Sequence, residues 1–155
     1  MQETDTQYQN VYEQLKIDEG VKYEIYEDHL GYPTFGVGHL IIEDDPEYGQ
    51  PIGTEVSEER VMECFLNDLQ IADDECCGLY GADFWCDFPQ EVREILLNMM
   101  FNMGRPRLGK FKKMNEALYK KDWKEAAKEG RDSRWYRQVT NRAERLMSRM
   151  EEVED

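Results

Sequence analysis

Two carboxylates stand nine positions apart: Glu19 closes the run Ile17-Asp18-Glu19-Gly20, and Asp28 enters the turn Glu27-Asp28-His29-Leu30-Gly31-Tyr32-Pro33. Glycoside hydrolysis needs one carboxyl group that gives its proton to the leaving oxygen and another, ionised, that activates water or attacks the anomeric carbon. Opposite protonation states at one pH require different surroundings. Glu19 follows Val11 and Leu15, with Tyr8 and Tyr12 nearby, and the end of a buried helix would desolvate it and favour its protonated form. Asp28 lies in a polar turn and should stay charged. In a chain with 34 acidic residues, such a pair taken alone reads more readily as solvated surface.

The residues that follow, Thr34-Phe35-Gly36-Val37-Gly38-His39, complete a longer pattern. An acidic Glu-Gly at the end of a first helix, followed by Asp-x-x-Gly-Tyr-x-Thr-x-Gly-x-Gly-His, resembles the T-even bacteriophage lysozymes. The likeness resumes in Asn98-Met99-Met100-Phe101-Asn102-Met103-Gly104, in Gly130-Arg131-Asp132-Ser133-Arg134-Trp135-Tyr136-Arg137-Gln138 and in Asn141-Arg142-Ala143. Its wording is closer to the tail-associated lysozymes of the baseplate spike than to the free endolysins.

The resemblance implies a muramidase that cuts the β-1,4 bond between N-acetylmuramic acid and N-acetylglucosamine, inverting the anomeric centre in a single displacement. By that resemblance Glu19 is the general acid, Asp28 positions and deprotonates the water, and Thr34 helps hold it. Gly38, Leu40, Phe101 and Asn102 are the implied substrate contacts. Arg142 is the implied partner of the catalytic glutamate across a cleft, and His39 with Asp68 an implied structural ion pair. No metal or organic cofactor is required, since side chains supply both proton transfers. His29 sits in the variable part of the turn and is expected to be exposed, without chemistry.

Composition bounds these expectations. At 155 residues and 40% hydrophobic content the chain can build one full core or two small lobes. Its net charge of −15 argues against a nucleic-acid partner, since the reading finds no basic stripe to offset it. Peptidoglycan, the expected partner, is itself anionic, so electrostatic attraction is absent. Either salt must screen the repulsion, with a Debye length of roughly 4 Å at marine ionic strength, or a tether to phage tail or baseplate proteins must deliver the enzyme. No apolar run approaches a membrane span, and residues 1–10 lack the regions of a signal peptide. The expected course is synthesis in the infected bacterial cytoplasm, passage by a holin or a virion tail, and action in the periplasm or at the wall, as a monomer if free. The four cysteines have no metal-site spacing. Reduced thiols are expected, with a bridge from Cys86 to Cys76 or Cys77 the alternative.

These groups need positioning elements. The pattern predicts a polar tail over 1–9, a helix over 10–18, short strands over 23–25, 34–37 and 40–42, and a loop over 43–53 that is shorter by about ten residues than in the T-even endolysin. Ser57 is the expected N-cap of a helix over 57–75. Further helices are expected from Pro89 to Gly104, over 111–120, over 123–129 ending at Gly130, and over 141–152, with Asn141 and Glu144 at capping-box spacing. The Met-rich stripe Met99, Met100, Met103 reads as core. The whole reads as an α+β fold: a small hairpin lobe (18–56) and a helical lobe (76–155, with the first helix added by the resemblance), joined by a long helix around a cleft. A binding or baseplate module without strong catalysis, and a glycosidase of chitin-like polymers, are the alternative functions.

Overall fold

The computed structural model describes residues 3–154. The described chain runs α1(Glu3–Glu19), β1(Lys22–Glu27), β2(Pro33–Gly36), β3(His39–Leu40), α2(Glu58–Tyr80), α3(Ala82–Asp87), α4(Gln90–Met103), α5(Arg105–Leu108), α6(Lys112–Tyr119), α7(Trp123–Arg131), α8(Arg134–Gln138) and α9(Thr140–Glu151). It divides into two compact units, Met1–Ile71 and Ala72–Asp155, with the boundary inside α2. None of the helices among the described residues is long and apolar enough to cross a membrane.

In the first unit, helix α1 begins at Glu3, so residues 3–9 are helical where the polar composition suggests a tail. Tertiary contacts account for the difference. Gln7 is buried, the Tyr8 hydroxyl donates to Gln70 Oε1 at 3.1 Å, and the Tyr12 ring lies 4.6 Å from that of Phe65. Helix α1 thus packs on the first part of α2 and falls in the same compact unit as the strands.

The strands form one antiparallel sheet in the order β1-β2-β3. Strand β3 has only two residues, His39 and Leu40; Ile41 then turns into the core, and the Ile42 N–H is held by Asp45 Oδ2 at 3.0 Å instead of continuing a strand. Ile25, Phe35, Ile41, Val56, Val61 and Cys64 form the apolar cluster beneath the sheet. Each such side chain contributes about 1.5–3 kcal/mol on burial. Gly36, at φ +65°, lets the sheet approach α2, since a Cβ there would stand 3.1 Å from Val61 Cγ1. Ser57 caps α2 as expected, its Oγ accepting from Arg60 N at 3.1 Å.

A charged network ties the 43–53 segment to α2. Arg60 forks onto Glu47, with Nε and Nη2 at 2.8 and 2.9 Å from its two oxygens. His39 Nδ1 is 2.7 Å from Asp68 Oδ2 and its Nε2 is 2.8 Å from Asp45 Oδ2. Two carboxylates on the two ring nitrogens require both nitrogens to donate, which is the imidazolium. Burial opposes that charge, but the bonds to Asp68 and Asp45 outweigh it and raise the His39 pKa above its ordinary 6.5. For Asp45, burial again opposes the charge, yet the Ile42 N–H, His39 and Arg60 lower the pKa from its ordinary 3.8.

In the second unit α4 is buried on nearly every side, Met99 and Met100 included, so the methionine stripe is core. Tyr80 donates to Asn115 Oδ1 at 2.8 Å and its ring meets those of Trp85 and Phe88. Gly130 does not end a helix: α7 continues to Arg131, and a Cβ at Gly130 would overlap Met147 Sδ on α9. Asn141 is likewise not a cap. Helix α9 starts at Thr140 with no side-chain cap, and Glu144 is engaged by Arg131, Tyr136 and Ser148. All four cysteines are free. Burial pushes the Cys64 thiol up to about 11 and the Cys76 thiol further.

The acidic charge is unevenly divided. Residues 1–71 carry 17 acidic and 3 basic side chains, a net −14, whereas residues 72–155 carry 17 and 16, a net −1.

The two shifts around His39 set a pH window. A raised histidine pKa gives stabilisation that is complete below pH 6.5 and lost as pH rises through the folded value. The lowered Asp45 pKa gives stabilisation present above 3.8 and lost as pH falls through its folded value. His39→Asn should therefore cost about 1.5–3 kcal/mol near pH 6 and remove the decline in stability that wild type shows toward pH 9. Urea unfolding across that range is the measurement, and equal slopes for the two proteins would sink the account. Gly130→Ala should cost about 1–3 kcal/mol by overpacking, despite the better helix propensity of alanine; an unchanged urea midpoint would contradict the close approach of α7 and α9.

Candidate active site

Helix α1 delivers Glu19 as its last residue, and Gly20, at φ +78°, takes the left-handed conformation that ends a helix and turns the chain into β1. Glu19 is exposed. The desolvation expected from the helix spacing is not provided, because the chain leaves the packed face of α1 at this residue. The β2–β3 turn runs alongside its carboxylate: a Cβ on Gly38 would lie 4.0 Å from Glu19 Oε2.

Asp28 organises the β1–β2 turn. Its Oδ1 accepts from the N–H groups of Leu30 and Tyr32, both at 2.9 Å. Both bonds use one oxygen, so Oδ2 is not committed to the turn. Thr34 is buried, and its hydroxyl donates to the Tyr32 carbonyl at 2.9 Å. His29 is exposed on the same turn.

The sheet sorts these residues by its period of two. Tyr26 pairs with Thr34 and Thr34 with Leu40, a row across three strands. The neighbouring residues Ile25 and Phe35 enter the core cluster. Tyr26, Thr34 and Leu40 therefore share the face opposite the core, and Leu40 is half exposed there. Lys22 Nζ lies 4.3 Å from the centroid of the Tyr26 ring. Partial burial first, then the Asp28 and Glu19 carboxylates, raise the pKa of the Tyr26 phenol above its ordinary 10.0. The sequence reading passed over Tyr26. Its position two residues before Asp28 in an alternating strand was the available signal.

The remaining expected site residues lie in the second unit. Phe101 is half-buried on α4, and Asn102 Oδ1 accepts from Trp135 Nε1 at 2.8 Å. Arg142 is buried on α9, its Nε donating to Asn98 Oδ1 at 2.9 Å. The same unit holds an open cavity of about 550 Å³ lined by the contacting rings of Phe111 and Trp135, by Arg107, Lys110, Lys112, Lys113 and Arg134, and by the acidic Glu129 and Asp132. The sequence reading did not single out this basic recess, although the cations between Arg105 and Lys113 are dense enough to mark it.

Asp28→Asn should fold like wild type, because an amide oxygen still accepts both turn bonds, whereas Asp28→Ala should lose about 1–2 kcal/mol by leaving two N–H groups without their acceptor. Thermal or urea unfolding of the pair checks this; equal stability of the two variants would show that the turn does not depend on Oδ1.

The model of the phage lysozyme family matches residues 16–152. The chain is 32% identical over 151 residues to the pre-baseplate central spike protein Gp5 of Enterobacteria phage T4, covering 86% of this chain and 26% of that protein. It spans about a quarter of the length of that spike protein. It is also 29% identical over 159 residues to probable T4-type lysozyme 1 of Dictyostelium discoideum, covering 92% of this chain and 94% of the relative. With the endolysin of Salmonella phage P22 it shares 30% identity over 91 residues, 59% of this chain and 58% of the relative. The family match takes in Glu19, the turn at Asp28, the sheet row and α9 together, and on that extent the chain belongs to the phage lysozyme family.

Proposed function

We propose that the chain is a muramidase, hydrolysing the β-1,4 bond between N-acetylmuramic acid and N-acetylglucosamine of bacterial peptidoglycan by a single inverting displacement. The observation that carries this reading is that one unit holds the Glu19 carboxylate beside the β2–β3 turn at Gly38, the Asp28 carboxylate with one oxygen uncommitted to its turn, and Thr34 on the sheet face opposite the core. Glu19 gives its proton to the leaving oxygen. Asp28, through the oxygen that the turn does not use, takes a proton from water as the water oxygen bonds to the anomeric carbon, and Thr34 holds that water.

The acid and the base come from one unit, so their relation to Thr34 is set by α1 and one small sheet. That unit carries the net −14. An anionic glycan is repelled from it at distances beyond contact, and added salt weakens the repulsion. Delivery on a phage tail is the other way round the same obstacle, and the identity with the spike protein favours it. The same identity supports a second reading, a spike module that keeps the fold and serves by position, with peptidoglycan binding in place of turnover.

Mass analysis of fragments released from purified peptidoglycan by wild type and Glu19→Gln separates the two readings. The expected outcome is muropeptides with reducing N-acetylmuramic acid from wild type alone, in greater yield at roughly 0.5 M salt than at 0.01 M, where the Debye length is about 30 Å. Retention of a tenth of the activity by Glu19→Gln would remove that residue from its role. No fragments from wild type at either salt would leave the module reading. Thr34→Glu should replace the water by a carboxylate and either stop turnover or accumulate a covalent adduct; unchanged inverting hydrolysis would refute the water site.

A further inference from the structure

We propose that Tyr26 is a positioning residue for the hydrolytic water: its phenol donates the hydrogen bond that fixes the oxygen of the water between Thr34 and Asp28. The inference rests on the muramidase reading and follows from hydrogen-bond capacity on the sheet face. The Thr34 hydroxyl has one proton, and that proton goes to the Tyr32 carbonyl at 2.9 Å. Toward a water molecule Thr34 Oγ1 can then only accept. Asp28, acting as the base, also accepts. A water that donates to both has its two protons engaged and two lone pairs left, one aimed at the anomeric carbon. The other needs a donor, and neither Thr34 nor Asp28 supplies one.

Tyr26 meets the requirement by placement. It is the direct cross-strand partner of Thr34, and such partners have Cβ atoms about 4.5–5.5 Å apart on one face. It precedes Asp28 by two residues. Lys22, on its own strand, stands over its ring at 4.3 Å and holds the plane. The charged groups that act on the phenol from other elements are Asp28 on the turn and Glu19 at the end of α1. Partial burial and these two carboxylates keep the phenol protonated, as a donor must be. No proton leaves Tyr26 during the reaction. The new carbon–oxygen bond forms from the water, one of its protons passes to Asp28, and the proton of Glu19 passes to the leaving oxygen as the glycosidic bond breaks.

The test is Tyr26→Phe, which keeps the ring beneath Lys22 and deletes only the donor. On peptidoglycan, kcat should fall about tenfold, a loss of the size expected for one hydrogen bond made to the reacting water, with KM within about twofold of wild type and an unchanged urea midpoint. With the tyrosine Cζ carbons labelled, the Tyr26 resonance should titrate at lower pH in Asp28→Asn and in Glu19→Gln than in wild type, a response that a merely structural tyrosine would not give to both. A hydrolysing wild type with Tyr26→Phe at full kcat overturns the proposal and leaves the muramidase reading standing. A wild type that releases no muropeptides overturns that reading and the role of the water with it. A Tyr26 titration unmoved by both carboxylate variants overturns the placement of the phenol, whatever the kinetics.

Discussion

The candidate site depends on the requirement that β1 and β2 bury Ile25 and Phe35 on one side. Successive strand residues point to opposite faces, so sinking these two side chains onto Val61 and Cys64 turns Tyr26 and Thr34 to the other face in fixed register. A slip of one residue would exchange the faces of Thr34 and Phe35, and the cost of bringing a phenylalanine out of the apolar cluster forbids it. Gly36 is the backbone condition for this arrangement, because only a residue without a side chain lets β2 come so near Val61 at a positive φ. Hydrophobic packing beneath the sheet thereby fixes the chemistry above it.

Around that sheet, charge does work that a longer loop or larger core would otherwise do. His39, at the start of β3, is clamped by Asp68 of α2 and Asp45 of the following segment, and Asp45 is also approached by Arg60. These groups are only 13–26% exposed as side chains, so their bonds are screened much less than surface pairs. The cluster pins β3 to the helix from which Val61 and Cys64 rise. The imidazolium belongs to the scaffold, and its position on the core side of the sheet, paired with Phe35, keeps it off the face of Thr34.

What could be read from the residues alone was set by how local each signal is. Asp28, the turn glycine Gly31 and Thr34 lie within seven residues, and turn chemistry is written in such short stretches. Ser57 announced its cap, and the buried methionines of α4 announced their burial, because both are properties of one element. The misses are tertiary. The first turns of α1 are too polar to predict a helix, and they form through contacts with residues of α2 some sixty positions away. Gly130 has the propensity of a helix end but is required inside α7 by Met147. Asn141 and Glu144 have capping spacing, yet Glu144 is drawn away by Arg131, which holds its carboxyl down at about 2. Tyr26 stands two residues before Asp28, which is a local signal, but its pairing with Thr34 is made across strands and a single stretch of sequence does not disclose it.

On the muramidase reading, the acidity of the first unit acts on encounter with an anionic glycan and leaves the proposed chemistry untouched. Hydrogen bonds of about 2.9 Å around Asp28 and Thr34 lie well inside any Debye length reached in practice. Mobile ions do not enter between such groups. The exposed carboxylates that make up most of the net −14 act on an approaching polyanion over distances comparable to or longer than the Debye length of about 8 Å at physiological salt. They raise the free energy of the encounter complex and, once the glycan is seated, act almost equally on the bound ground state and on the transition state. A uniform penalty of that kind appears in KM and leaves kcat unchanged. On the muramidase reading, the high acidity can therefore coexist with the proposed acid, base and water site, and it bears on how the chain would meet the wall, by screening or by delivery.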